Sequence, residues 1–91
     1  MPKPPTPPPS KVIRYFVIPF GKKRGELGAG QPQEARDSEM AIARARRVAE
    51  TKPNTGAVAV RRTSASMEDE GGTFEIIFTV GEVNTEGLFE G

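Results

Sequence analysis

At 91 residues the chain is one domain at most, and its central part, from Lys11 to Val83, lies near the lower size limit for a stable lone core. It contains no Cys and no His, which excludes disulfides, thiolate nucleophiles, imidazole bases and zinc sites of the usual Cys/His type. The net charge is +1 but unevenly spread: Lys and Arg outnumber Asp and Glu in residues 1–50, and the reverse holds in residues 51–91. Such asymmetry serves a basic face or lets the two halves pair across a subunit contact.

Residues 1–10, MPKPPTPPPS, form a proline tail expected to be disordered or extended as polyproline II. Counting three along from Lys3 leads to Thr6 rather than Pro, so the tail reads as a spacer before it reads as an SH3 or WW ligand. It has no apolar leader, and no run in the chain approaches the ~20 apolar residues that span a bilayer. Cytoplasm is the expected location.

Val12–Phe20, VIRYFVIPF, is the first predicted strand, with apolar residues on both faces. Gly21–Gln33 follows as a glycine-rich loop carrying Lys22, Lys23 and Arg24. A basic, glycine-rich stretch between a strand and a helix invites a phosphate-cradle reading. It lacks both the Gly-Lys-Ser/Thr ending of a Walker loop and the GxGxxG of a dinucleotide fold, so a mobile connector is preferred.

The helix falls within Pro32–Thr51, with Pro32 suited to its first position and a later start at Asp37 as the alternative; Pro53 stops it. Ser38, Ala41, Ile42, Ala45, Val48 and Ala49 gather on one stripe, nearly all small, which lets the helix lie close to a sheet. Arg36, Arg44 and Arg47, with Met40, occupy the far side as candidate contacts to phosphate or an acidic partner. No aromatic accompanies them as a stacking platform.

Asn54–Thr63 begins with a turn and continues as AVAVRRT, a light strand ending in Arg61 and Arg62, which suits a guarded sheet edge. In the next loop Glu68, Asp69 and Glu70 offer carboxylates to a hard cation, but not at the spacing of an EF-hand. No metal and no cofactor is expected. Thr73–Val80, TFEIIFTV, is the strand with most bulk, with Phe74, Ile76, Phe78 and Val80 on one side of a period of two. Residues 84–91 read as a flexible acidic tail in which Leu88 and Phe89 are able to dock on the fold or on a partner.

The order β-α-β-β predicts an α+β domain over residues 11–83: a three-stranded mixed sheet, order 1-3-2, with one helix on one face. The bulky third strand is placed in the middle. Tyr15, Val17 and Ile77 are then expected on the uncovered face as a protein interface. The favoured function is a small non-enzymatic interaction module, homodimeric through that face or an edge. The alternative is a nucleic-acid-binding protein using Arg36, Arg44 and Arg47 with the Lys22–Arg24 loop. An enzyme comes third, since only lysines, Tyr15 and the Glu68–Glu70 acids remain to carry chemistry.

Overall fold

A long first strand, β1 (Val12–Lys23), serves as one of two spines of the fold. The computed structural model describes residues 12–65, 72–86 and 88. At its end β1 reverses through Arg24 and Gly25, both at positive φ (55° and 83°), a two-residue turn whose twist matches that of the flanking strands. β2 (Glu26–Ala29) therefore pairs back onto β1, with Lys23 opposite Glu26. β3 (Gln33–Ala35) pairs with the earlier part of the same edge, Ala35 opposite Tyr15 and Val17 opposite Gln33. Then come the helix α1 (Ser38–Glu50), β4 (Asn54–Ser64) and β5 (Thr73–Gly81). Among the described residues the sheet has five strands, all antiparallel, in the order β2-β1-β4-β5 with β3 beside β2 on the outer side of β1.

The α+β class and the single helix agree with expectation; the strand order does not. β4, not β5, is central, and it pairs antiparallel rather than parallel with β1. Bulk was the wrong guide to centrality. Ala57, Val58, Ala59 and Val60 are buried to 1% or less, because a central strand under a helix needs small residues on the covered side. Gly56 is the extreme case: a Cβ there would sit 2.6 Å from the carbonyl oxygens of Val80 and Glu82. The stretch 21–33, expected to be a connector, instead contributes the end of β1, all of β2 and the start of β3.

The helix takes the later of its two expected starts, at Asp37 and not Pro32, because Gln33–Ala35 pairs with β1 as a strand. The Asp37 side chain accepts a hydrogen bond from the backbone N–H of Met40 (2.8 Å), capping the first turn. At the other end Asn54 Nδ2 donates to the Val48 carbonyl (3.1 Å) and the Asn54 amide to Thr51 (2.9 Å), so β4 begins directly beneath the last turn. Ala41 and Ala45, both fully buried, meet Ala57 and Ala59 at the point of closest approach. Val17, Phe78 and Val80 fill the space around that small-residue contact.

A bulge in β5 redistributes its side chains. Ala59 pairs with Phe78, while the next residue, Val60, pairs with Ile76, leaving Ile77 as the extra residue. Phe78 and Val80 consequently pack beneath the helix together with Ile77, whereas Phe74 and Ile76 turn to the opposite side. The period of two predicted one apolar face for all four of Phe74, Ile76, Phe78 and Val80. The bulge divides them between both.

Candidate functional site

The face of the sheet away from α1 is built from the alternate residues of β1 and β4. Ile18, Phe20, Val58 and Val60 form its buried cluster, with Phe16 and Leu27 packed against it. One end is covered by the chain itself: Val83 and Leu88 lie on that cluster, and the Leu88 amide donates to the Thr85 carbonyl (3.2 Å) to hold the last described turn. The other end has no such cover among the described residues. There Phe16, Ile18, Pro32, Val60, Arg62 and Phe74 line a groove of about 200 Å³. Phe74 is 41% exposed and its neighbour Ile76 38%, more than apolar side chains of that size accept inside a closed core.

The groove is a channel between two aromatic rings. Phe16 on β1 and Phe74 on β5 stand either side of β4, whose Val60 and Arg62 form the floor. With strands about 4.8 Å apart, the two walls are about 10 Å from each other at the backbone. Each wall carries an arginine over its ring: the Arg14 guanidinium lies 5.3 Å from the centre of Phe16, and that of Arg62 lies 6.0 Å from Phe74. Arg14 and Arg62 are direct cross-strand partners, so two like charges sit side by side at this rim. Glu34 on β3 accepts from Arg14 Nη2 (2.6 Å) and Nε (2.8 Å) in a two-pronged pair. That hydrogen bonding holds the Glu34 carboxyl below the usual carboxylate range and raises the Arg14 pKa. On the helix side the corresponding row is Tyr15, Arg61 and Glu75, where the Arg61–Glu75 ion pair raises the pKa of Arg61.

Tyr15, Val17 and Ile77, expected on the uncovered face, pack beneath α1, and Val17 is fully buried. Both faces of β1 are apolar, so its sequence does not reveal which side the helix takes. For this reason, and because of the bulge, the sequence does not single out the groove residues Phe16, Ile18 and Phe74 or their neighbour Ile76. The one legible signal was the alternation of small and larger residues in Ala57–Val60, which assigns the closely approached side to the alanines.

The candidate cations are separated. Arg44 Nη1 donates to the Glu34 carbonyl (2.8 Å), bridging the helix to β3. Arg36 lies 3.7 Å from Asp37, and Arg47 is exposed in the last helical turn, where a positive charge complements the helix dipole. Arg46 reaches the other flank and lies over Phe78 at 5.2 Å. Lys22, Lys23 and Arg24 sit on the β1–β2 hairpin beyond the helix C-terminus, with Lys22 3.5 Å from Glu82. A phosphate cradle draws on amides at a helix N-terminus, and these residues lie at the opposite end. The acidic triplet Glu68–Glu70 and the proline tail lie outside the described residues. Among the described residues, no group of three or more acids gathers to hold a metal ion, and no helix is long and apolar enough to cross a membrane.

No family model matches the chain, and neither a curated protein nor a solved structure shows significant similarity to it.

Proposed function

We propose that the protein is a small non-enzymatic interaction module that self-associates through the uncovered part of its sheet face and the β5 edge beside it. The observation that carries this reading is the exposed apolar pair Phe74 and Ile76 on β5, beside the half-buried Phe16. An apolar strip of this kind on so small a domain is the expected mark of a contact surface.

The two edges of the sheet support the same conclusion. On one side β2 and β3 have four and three residues and are separated by Gly30, Gln31 and Pro32, so that edge is short and broken. On the other side β5 runs nine residues without Pro or Lys. Its single charge, Glu75, is held by Arg61. A long edge with so little protection is a site where a second chain adds. A second copy is the simplest partner, since a surface on a two-fold axis needs only to match itself.

Light scattering behind size exclusion, over a concentration series, tests the reading. A dimer that dissociates on dilution and is weakened by Phe74→Ser or Ile76→Asp is the expected result. A monomer at every concentration overturns it.

A further inference from the structure

The basic β1–β2 hairpin plays no part in the self-association proposed above. We propose that its helix-side face binds a single-stranded nucleic acid, with one base on a floor of bare glycine backbone and the flanking phosphates on Lys23, Arg24 and Lys52. The site shares no residue with the β5 surface, so it stands or falls independently of the dimer.

The floor follows from the register. Gly21 on β1 faces Gly28 on β2, and the Gly30 amide donates to the Pro19 carbonyl (2.7 Å). Strand side chains alternate in direction, so Pro19 and Gly21 share the helix side with Val17, whereas Phe20 and Leu27 turn to the outer cluster. The result is a hollow of about 330 Å³ just past the end of α1, bounded by Pro19 and Gly30, by Pro53 and Asn54, and by Lys22 and Lys23. Two of its glycines have structural reasons. A Cβ would lie 3.3 Å from the Pro53 carbonyl oxygen at Gly21, and 3.0 Å from Pro19 Cγ at Gly30. Gly28 has none: its φ is outside the left-handed region, and a Cβ there would meet no described atom within 4 Å. Glycine weakens a strand, and one that neither conformation nor crowding requires marks a place where something outside the chain approaches the backbone.

Charge selects the ligand. A second hollow at the hairpin tip shares Lys23 and Gly28 with the first and adds Arg24, so a shallow track runs from Pro19 to Arg24. At ~3.4 Å per strand residue it covers about 17 Å, which suits a polymer and not a lone phosphate. Lys23 and Arg24 flank its open end, and Lys52 precedes Pro53 in the opposite wall. None of Lys23, Arg24 and Lys52 is in an ion pair among the described residues. The acids beside them are Glu82, 3.5 Å from Lys22, and Glu26, opposite Lys23 in the ladder, so cations outnumber acids along the track. The carbonyls at the end of α1, which repel anions, already accept: Thr51 Oγ1 donates to Arg47 (2.8 Å) and Asn54 Nδ2 to Val48 (3.1 Å). An acidic peptide satisfies such cations but brings no flat group for the glycine floor. An unpaired base does, and only a single strand leaves the face of a base free.

Fluorescence anisotropy of a labelled oligothymidylate, and of the matching oligouridylate, with the full chain tests the site. Contact through Lys23, Arg24 and Lys52 predicts a slope of about −2 for log K against log salt, so affinity falls about 20-fold between about 50 and 200 mM. Lys23→Gln and Arg24→Asn should each flatten the slope by about 0.7, Asn being chosen because it tolerates the positive φ of that position. Gly28→Val is the sharper variant, since it fills the floor without touching a charge. Its Tm should be kept or raised and its salt slope unchanged, while binding weakens about five-fold or more. Gly28→Ala, a single added methyl group, should act in the same direction and covers the case in which valine disturbs folding. Unchanged binding in the folded Gly28 variants refutes the floor. Duplex DNA or polyglutamate that competes as well, charge for charge, as the single strand refutes the base contact. No binding of either oligomer at about 50 mM salt removes the site altogether.

Discussion

Val17 and Phe74 are 17 and 74 residues into the chain, on different strands and opposite faces of the sheet, and truncating each should produce a different defect. Val17 is fully buried between β1 and the helix. Val17→Ala deletes two carbon groups worth about 0.8 kcal/mol each in transfer and leaves a cavity, for a total of about 2–3 kcal/mol. For a domain of this size that lowers Tm by roughly 8–24 °C. Phe74 keeps 41% of its surface exposed, so Phe74→Ser costs the monomer about 1–2 kcal/mol, and its larger effect falls on association. A ring at the centre of a contact typically contributes at least 1.4 kcal/mol, so the dimer should weaken about ten-fold or more. Thermal and urea unfolding followed by far-ultraviolet circular dichroism measure the first effect, at one protein concentration for all variants because dimerisation itself stabilises. Light scattering on dilution measures the second. If Val17→Ala left Tm unchanged and abolished the dimer, the helix would not cover that face, and the assignment of the two faces would be reversed.

Further substitutions probe the parts that hold the surface in place. Gly56→Ala forces a methyl group against the backbone of β5 at 2.6 Å, with no flexible side chain to yield, and should cost about 1–3 kcal/mol in urea unfolding. Asp37→Ala removes the acceptor for the Met40 amide and should cost about 0.5–2 kcal/mol, with Asp37→Asn recovering most of it. The Arg14–Glu34 pair gives a pH signature. Because the folded-state pKa of Glu34 is lowered, chiefly by its hydrogen bonds from Arg14, its stabilisation is complete above the ordinary glutamate value of about 4.3 and is lost as pH falls through the lowered value. Glu34→Gln should flatten that part of the acid limb in a pH series of unfolding midpoints; an unchanged limb would show that the pair contributes nothing.

Local chemistry alone determined much of this protein. Asp37 and Pro53 delimit the helix, and the spacing of Ala41 and Ala45 selects its buried stripe, because capping and the helical period depend only on near neighbours. The absence of Cys and His likewise narrows the chemistry before any fold is known. The Arg24-Gly25 turn was within reach of the same reasoning, since two positive-φ residues between strands mark a tight hairpin, but Arg at the first position is an uncommon signal for it. Strand order and the identity of the open face were decided only in three dimensions. β1 is apolar on both sides, so its parity does not say where the helix goes. The bulge at Ile77 moves Phe74 and Ile76 away from Phe78 and Val80, which no period of two reveals. The centre of the sheet fell to the light strand Ala57–Val60 because the helix and β5 both approach it too closely to admit larger side chains, a condition set by the neighbours and not by the strand itself.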